Sequence, residues 1–476
     1  MSTNAIQQHT QSIKTTPILV SFLIAGFIGL FNETALNMAL GNLIQVFNIS
    51  SSTVQWLTTG YLLTLGILVP ISGLLIQWFS TRQLFITSLV FSLIGTIIAA
   101  LAPSFGVLLL ARVIQAIGTG LLLPLMFNTV LLIYPIHRRG ATMGLMGLVI
   151  MFAPAIGPTI SGLIIEYLSW HWIFWVCLPF FVLALLSGIT YMQNVSTITK
   201  PKIDVLSIIL STIGFGGIVY GFSSAGENGW GSSIVISTIT VGLLALALFS
   251  LRQVKMNKPM IDLRVFKYPM FTLGLLTVFV AFMVILSSMI LLPLYLQVGL
   301  GLAGFSAGLV LLPGGVLNGI MSPVTGRIFD RYGPRGLVLP GFIIMIVMLW
   351  LLSKVTTETS ILMVIVLHSF LMVGVSMVMM PAQTNGLNQL PKALYPDGTA
   401  LMNTLQQVSG AIGTAVAITI MSASQNTYMM SVTNPSDPSS VGASLTAGVQ
   451  DAFIFGLTLA IVGLIISFFI KSSSVK

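Results

Sequence analysis

The sequence predicts an all-α membrane protein, on the basis of its composition and of the length of its apolar segments. Apolar residues make up 56% of the 476-residue chain, charged residues only 6%, and the mean hydropathy is +1.03. A soluble chain of this composition would expose far more apolar surface than water tolerates. A hydrocarbon core of about 30 Å needs roughly 20 helical residues to cross it, and the chain holds about 14 apolar windows of that length.

The predicted spans follow one another along the whole chain. They cover residues 17–41, 54–78, 83–102, 106–133, 141–166, 170–191, 204–222, 232–252, 269–298, 302–326, 337–353, 361–386, 398–423 and 449–470. An even number of spans places both termini on the same side of the membrane. The segment 424–447 is polar and rich in Ser and Asn, so we expect a loose loop there.

Positive charge alternates with the spans and predicts their orientation. Of the 19 Lys and Arg residues, all except Arg112 and Lys354 lie in the tails and in the alternate connections on one side. Cytoplasmic loops carry this excess, so we expect a plasma-membrane protein with both termini in the cytoplasm. The formal charge of +9 reflects this topology and attraction to anionic lipid head groups, and it does not indicate binding to nucleic acid.

Glu33 is an acidic residue inside the first predicted span. An ionisable side chain at membrane depth costs roughly 2.5–3.5 kcal/mol, which makes any such residue a functional candidate. Asn32, Thr34 and Asn37 surround it in the sequence. Because burial favours the protonated form of a carboxyl, such a group is suited to exchanging protons. The alternative is a structural carboxyl that hydrogen-bonds to neighbouring helices.

Arg112 is the only basic residue buried inside a predicted span, away from its ends, and Gln115 lies one turn further along. A guanidinium group stays charged, so it needs a carboxylate, carbonyl groups or water nearby. Two roles remain open from the sequence. Arg112 either pairs with a protonatable group in a polar cavity or binds the carbonyl groups of a neighbouring helix.

The fifth predicted span combines prolines with small residues, namely Pro154, Gly157, Pro158, Ser161 and Gly162. The prolines remove helical hydrogen bonds and kink the helix. Small residues at a spacing of four allow two helices to approach closely. This pattern suits a helix packed where two halves of a carrier meet. The alternative is an ordinary kinked packing helix.

Motifs for enzymatic chemistry do not support an enzyme. Residues 304–308 match the pattern G-x-S-x-G, but that pattern needs a strand, a helix and His and Asp partners, and here it opens an apolar span. The sequence has no P-loop, no H-E-x-x-H motif and no Cys/His metal spacing. We therefore expect no enzyme, no metal and no cofactor, with the proton gradient as the energy source.

Several motifs resemble those of the major facilitator superfamily. Residues 326–335 (GRIFDRYGPR) resemble its cytoplasmic loop signature, and residues 110–118 (LARVIQAIG) resemble its fourth-helix motif. The fifth span is similar to its antiporter motif. The number of spans resembles the fourteen-helix drug:proton antiporter branch, and residues 31–34 (FNET) are most similar to the lincomycin-resistance multidrug exporters.

The resemblance implies a major facilitator fold in which two six-helix bundles flank two inserted helices. The expected parts are a cytoplasmic tail (1–16), an N-terminal bundle (17–191), the two inserted helices with their flanking loops (192–268) and a C-terminal bundle with a short tail (269–476). A central cavity would open alternately to each side as the bundles rock.

The implied function is export of amphipathic drugs such as lincosamides in exchange for protons, by a monomer among membrane lipids. The alternatives are an exporter of a lipid-like or endogenous metabolite and a membrane sensor that transports nothing. The resemblance assigns Arg112 to proton coupling and the small residues of the fifth span to packing between bundles. It assigns a cytoplasmic gate, with a charge network around Asp330 and Arg331, to Gly326, Asp330, Arg331, Gly333 and Arg335.

The sequence departs from the family pattern in two places. The first-helix motif of this branch usually has an aspartate where Asn32 stands, and the acid here is Glu33, about 100° further around the helix. In the first copy of the cytoplasmic loop motif, Gln77 replaces an aspartate and Ser80 a glycine. We therefore expect the N-terminal bundle to close through other contacts, such as those of Arg138 or Arg139.

Overall fold

The computed structural model describes residues 14–432 and 437–471. Within them lie 14 helices that are long and apolar enough to span a membrane, and no β-strand. They are α1 Thr15–Phe47, α2 Thr53–Trp78, α3 Thr81–Ala100, α4 Phe105–Ile133, α5 Ile136–Tyr167, α6 His171–Tyr191, α7 Val205–Ala225, α8 Ser233–Lys255, α9 Pro269–Gly299, α10 Gly304–Tyr332, α11 Arg335–Leu352, α12 Ile361–Asn388, α13 Lys392–Ser431 and α14 Ser440–Ser467. The predicted fold class and number of spans are confirmed.

One predicted loop is mostly helix. Helix α13 continues to Ser431 and α14 already begins at Ser440, so most of the expected loop 424–447 is helical. The polar residues show where the apolar window ends, but the helix itself continues. A helix satisfies its own backbone hydrogen bonds, so it does not have to stop where the bilayer ends. The predicted tail 1–16 lies largely outside the described residues.

Helices α1–α6 pack on one another, and so do α9–α14. We call these two groups the N-terminal half and the C-terminal half. Helices α7 and α8 pack on each other, and α7 also contacts α2 and α13. The proposed domain boundaries at 17–191, 192–268 and 269–476 are compatible with these contacts and stay a prediction.

The two halves meet along two seams, one between α5 and α10 and the other between α2 and α13. In the first seam, a Cβ added to Gly326 would lie 2.1 Å from the carbonyl oxygen of Gly140. In the second, a Cβ added to Gly73 would lie 3.0 Å from Cβ of Ala400. Glycine therefore permits the close approach of the halves, and both contacts lie at the end of the bundle that carries Arg139 and Lys471. We call this the basic end.

Two spans change their helical form at the other end. Helix α1 contains a 3-10 turn at Leu36–Ala39, three residues after Glu33, and α9 ends in a wider turn at Tyr295–Gly299. Asn37 in the 3-10 turn is exposed, and its side-chain oxygen accepts a hydrogen bond from Thr58 of α2 at 3.0 Å. Asn37 is therefore accessible at this end.

Candidate functional site

Arg112 of α4 is 1% exposed and lies at the centre of the N-terminal half. Its guanidinium donates hydrogen bonds to the backbone oxygens of Asn32 (3.0 Å) and Glu33 (3.1 Å) in α1, and to that of Leu57 (3.4 Å) in α2. It also lies 4.2 Å from the centre of the Tyr61 ring. Arg112 therefore binds the carbonyl groups of two neighbouring helices, which is the second of the two roles left open by the sequence, and these groups solvate its positive charge.

A chain of polar side chains surrounds Arg112. Gln115 accepts a hydrogen bond from Arg112 at 3.1 Å and donates one to the hydroxyl of Thr96 at 3.1 Å. Asn32 donates to the same hydroxyl at 3.4 Å and is 2% exposed. Asn32, which stands where the family usually has the acid, is thus turned toward α3 and α4.

Glu33 differs from its neighbour because it is only half-buried. Among the described residues its carboxylate has no hydrogen-bond partner, although its backbone oxygen binds Arg112. The carboxylate interacts electrostatically with Arg112 and Tyr61. The structure therefore places a half-buried acid near a buried, fixed positive charge. Because the acid stands one position after Asn32, it lies about 100° further around the helix and outside the packed core.

The small residues of α5 contact α1 directly. A Cβ added to Gly157 would lie 2.4 Å from Oγ1 of Thr34. Ser161 is buried and donates hydrogen bonds within its own helix to the carbonyl oxygens of Gly157 (2.7 Å) and Pro158 (3.2 Å). The glycine predicted to pack between bundles thus packs within the N-terminal half, next to Glu33.

The remaining motif residues of α5 are less tightly placed. Pro154 and Pro158 lie inside the helix and are partly buried. A Cβ on Gly162 would meet only Met38 of α1 and Phe305 of α10, both at 3.9 Å. The halves approach each other closely at Ala155 within the motif, where a Cβ added to Gly315 of α10 would lie on Cβ of Ala155, and again at Gly140, Gly144 and Gly147, about three to five helical turns from Gly157 toward the basic end.

Asp330 joins α10 to the first turns of α5 at the basic end. Its carboxylate accepts hydrogen bonds from the backbone amides of Gly140 (2.7 Å) and Ala141 (2.8 Å). Arg331 instead lies 5.2 Å from the ring centre of Tyr332. The predicted gate position is thus a contact between halves, but in the described residues Asp330 binds backbone amides and not the predicted charge network.

The other gate residues shape the turn after α10. Gly333 has a φ of +75°, in the left-handed region that favours glycine, and its amide bonds to the carbonyl oxygen of Phe329 at 2.8 Å. Arg335 is exposed and begins α11. These residues end one helix and start the next, while Gly326 and Asp330 make the contact with α5.

Arg139 of α5 links the halves at the basic end through α12 and α13. It is 4% exposed and donates hydrogen bonds to Asn388 (2.9 Å) and to the hydroxyl of Tyr395 (3.1 Å), both in the C-terminal half. It also binds the carbonyl oxygens of Leu131 and Tyr134. Gln77 contacts Thr199 instead. The expectation that Arg139 supplies a contact in place of the eroded loop motif agrees with this geometry.

Sequence reasoning missed Asp397, which is 4% exposed in the first turn of α13. Its side chain accepts a hydrogen bond from the amide of Asp262, in the connection between α8 and α9, at 3.0 Å. The acid follows Pro396 directly, and a proline followed by an acid is a signal for a helix start. Placing the start of the span at residue 398 hid that signal.

Fourteen spanning helices, two glycine-lined seams and a buried polar network define a multi-pass membrane transporter. The model of the Major Facilitator Superfamily matches residues 22–414, and the chain belongs to this superfamily. It is therefore a transporter and not an enzyme.

Comparison with named proteins supports this assignment to the superfamily. The chain is 69% identical to the lincomycin resistance protein LmrB of Listeria innocua over 97% of its own length and 98% of that protein. It is 66% identical to LmrB of Bacillus subtilis over 97% of each chain. The crystal structure of the human organic anion transporter MFSD10 (TETRAN) has the same fold, with a TM-score of 0.64, 13% identity, and coverage of 95% and 99% of the two chains.

Proposed function

We propose that the protein exports amphipathic drugs, lincosamides among them, in exchange for protons, and that it does so by alternating access. The names of its close relatives, lincomycin resistance proteins, support this class of substrate. The observation that carries the coupling is the half-buried carboxylate of Glu33, which has no hydrogen-bond partner among the described residues. No cofactor is needed, because protons supply the energy.

The orientation follows from the distribution of charge. The positive-inside rule makes the basic end cytoplasmic, and both chain termini then lie in the cytoplasm. The contacts of Asp330 with Gly140, of Arg139 with Tyr395 and of Gly73 with Ala400 all lie at that end. We take these contacts as the closed cytoplasmic gate of the proposed cycle, with Asn37 of α1 on the outer side.

The structure suggests how protonation is coupled to movement. In the outward-open state Glu33 takes up a proton from outside, which removes its charge beside Arg112 and Tyr61. Its neighbours in α1 hold the rest of the site, since the backbone of Asn32 binds Arg112 and Thr34 contacts Gly157. A small shift of α1 therefore reaches both α4 and α5. The proton leaves to the cytoplasm once the basic end has opened.

The available energy is sufficient for this cycle. One charge that crosses a potential of 100 mV provides about 2.3 kcal/mol, and the pH gradient adds to it. The hydrogen bonds that close the basic end contribute roughly 1.5–3 kcal/mol each where a charged group takes part. Because these bonds form again when the basic end closes, they cost no energy over a complete cycle, and the proton gradient has to supply only the uphill movement of drug.

Accumulation of lincomycin in inside-out membrane vesicles tests this function. Vesicles that contain the protein should accumulate lincomycin when respiration acidifies their interior, and an uncoupler should release it. Vesicles without the protein should accumulate none. Absence of uncoupler-sensitive accumulation for any of a panel of amphipathic antibiotics would contradict the proposal, and lipid-like metabolites would then be the cargo to test.

A further inference from the structure

We propose that α7 and α8 move with the C-terminal half when the transporter alternates, and that they slide over α2 of the N-terminal half. The inference rests on the proposed alternating access. It follows from the different kinds of contact that the two inserted helices make with α13 on one side and with α2 on the other.

The attachment to α13 at the basic end is a continuous chain of hydrogen bonds. Asp204, just before α7, binds Arg252 of α8 at 2.7 and 2.9 Å, and it accepts a hydrogen bond from Ser207. Gln253 donates to Ser207 at 2.7 Å and accepts from the amide of Met260 at 2.7 Å. The chain therefore holds α7, α8 and the segment after α8 together.

The same segment ends on the C-terminal half. Two residues after Met260, the amide of Asp262 donates to the buried carboxylate of Asp397 in α13 at 3.0 Å. Arg264 neutralises the side chain of Asp262, and its single Nε–H is shared between the two carboxylate oxygens at 2.8 and 2.9 Å. Because Asp397 is buried, breaking this bond would remove a hydrogen bond from a carboxylate that water does not reach, which is costly.

A second attachment lies at the other end of the membrane. The indole N–H of Trp230, in the connection between α7 and α8, donates a hydrogen bond to Thr419 of α13. Between the two attachments, Phe215, Ile218 and Val219 of α7 pack against Val408 of α13 in one apolar cluster. The inserted helices are thus held along most of the length of α13.

The contact with α2 is of another kind. Glycines and aliphatic side chains of α2 and α7 meet at this contact. The ring of Tyr220 stacks on that of Trp56, with 5.7 Å between the ring centres. An open groove of about 380 Å³ lies on the surface beside these contacts, lined by Leu63, Ile67, Ile213, Gly216, Tyr220 and Val241 among others. Apolar contacts have no preferred direction, so this surface loses little when one helix slides along the other.

The chain that enters α7 belongs to the N-terminal half. Pro201 accepts a hydrogen bond from the indole of Trp78 at 2.8 Å, and the amides of Thr199 and Lys200 bind the backbone oxygen of Gln77. Lys200 has a φ of +45°, in the left-handed region. The short stretch between Pro201 and Asp204 therefore joins a segment fixed to α2 to helices fixed to α13, and this stretch is where the backbone must bend.

Distances between spin labels on lipid-facing residues test the proposal. Cys177, the single cysteine, is replaced by Ala, and labels are placed in pairs at Leu183 of α6, Leu244 of α8 and Val347 of α11, which are 56%, 61% and 42% exposed. Distances are measured at pH 5 and pH 8 with and without lincomycin. We expect the distances 183–347 and 183–244 to shift together between conditions, and the distance 244–347 to stay constant.

Each other outcome overturns the proposal in a recognisable way. A constant 183–244 distance with a shifting 244–347 distance would show that the inserted helices follow the N-terminal half. A shift of both would show that they move independently. If the 183–347 distance itself never changes, the halves do not move, and the inference falls together with alternating access.

Variants of Asp397 test whether its hydrogen bond attaches the inserted helices to α13 or only helps the protein to fold. Asp397→Asn keeps an oxygen that can accept the hydrogen bond from Asp262, whereas Asp397→Leu keeps none. We expect the 244–347 distance distribution to broaden in Asp397→Leu combined with Trp230→Phe and to stay narrow in Asp397→Asn. A narrow distribution in the double variant would contradict the role of these two attachments.

Discussion

The carboxylate of Asp330 accepts a hydrogen bond from the backbone amide of Gly140, and this bond joins the C-terminal half to the N-terminal half at the basic end. A second bond, to the amide of Ala141, uses the other carboxylate oxygen. The amides belong to the first turns of α5, where the helix dipole favours a negative charge. A single acid therefore holds two helices that must separate when the basic end opens.

Replacement of Asp330 by Asn should favour the open basic end. The amide keeps one acceptor oxygen but turns an NH2 group toward the second backbone N–H. Because hydrogen bonds to charged groups contribute about 1.5–3 kcal/mol, we expect the equilibrium to shift about tenfold or more. The measurement is the rate at which maleimide labels a cysteine placed at Ser322, which is buried against α5, in a Cys177→Ala background. The exposed Asp451→Asn is the control, and equal rates in the two variants would refute the role of Asp330.

Replacement of Gly326 by Ala should also favour the open basic end, in this case for a steric reason. The new Cβ would lie 2.1 Å from the carbonyl oxygen of Gly140, and overpacking of this kind costs about 1–3 kcal/mol. We expect faster labelling at position 322 and weaker drug resistance in cells. Gly336→Ala is the matched control, since a Cβ there meets nothing within 4 Å. If both variants confer native resistance, the seam tolerates separation and this account of the gate is wrong.

Replacement of Gly157 by Ala should impair transport through α1. The added Cβ would meet Oγ1 of Thr34 at 2.4 Å and push apart the two helices that hold Glu33 in place. We expect Thr34→Ala to restore transport in the double variant, because it removes the atom that is struck. Gly162→Ala, whose Cβ makes only ordinary contacts at 3.9 Å, should transport normally. Lincomycin accumulation in inside-out vesicles measures all of these variants, and a failure of Thr34→Ala to rescue would count against the packing argument.

The pair Asp204 and Arg252 should not contribute to the pH dependence of transport near neutrality. Hydrogen bonds from Arg252 and Ser207 lower the pKa of Asp204 from 3.8 to about 2. Because the folded pKa is the lower one, the stabilisation is fully present above pH 3.8 and is lost as the pH falls through about 2. We expect Asp204→Asn to lower the melting temperature slightly while leaving the shape of the pH profile of transport between pH 5 and 8 unchanged. A profile displaced along the pH axis would contradict this assignment.

The spans were predictable from the sequence because the bilayer imposes length and hydropathy on each of them. The position of Glu33 was predictable as a charge at membrane depth. Its exposure was not, since Asn32 and Glu33 differ by one residue and only the packing of α3 and α4 decides which of them is enclosed. In the same way, the sequence marked Gly157 as a packing residue but could not show that its partner is Thr34.

Contacts between distant segments were the least predictable. Arg139 could be nominated because it is basic and lies near an eroded motif, but its bonds to Asn388 and Tyr395 connect residues about 250 positions apart. The hydrogen bond between Asp262 and Asp397 corresponds to no periodic pattern in the sequence. It depends on how a connecting segment folds back on the start of α13. Such contacts need the tertiary structure.

The most direct test of the central claim is the proton movement that lincomycin induces in proteoliposomes, compared between the native protein, Glu33→Gln and Glu166→Gln. Glu166 is an exposed acid of α5, so its replacement removes one carboxyl without touching the site. We expect protons to move with drug in the native protein and in Glu166→Gln, and Glu33→Gln to bind lincomycin but to move no protons with it. Normal coupling in Glu33→Gln would show that Glu33 is structural and would contradict the account.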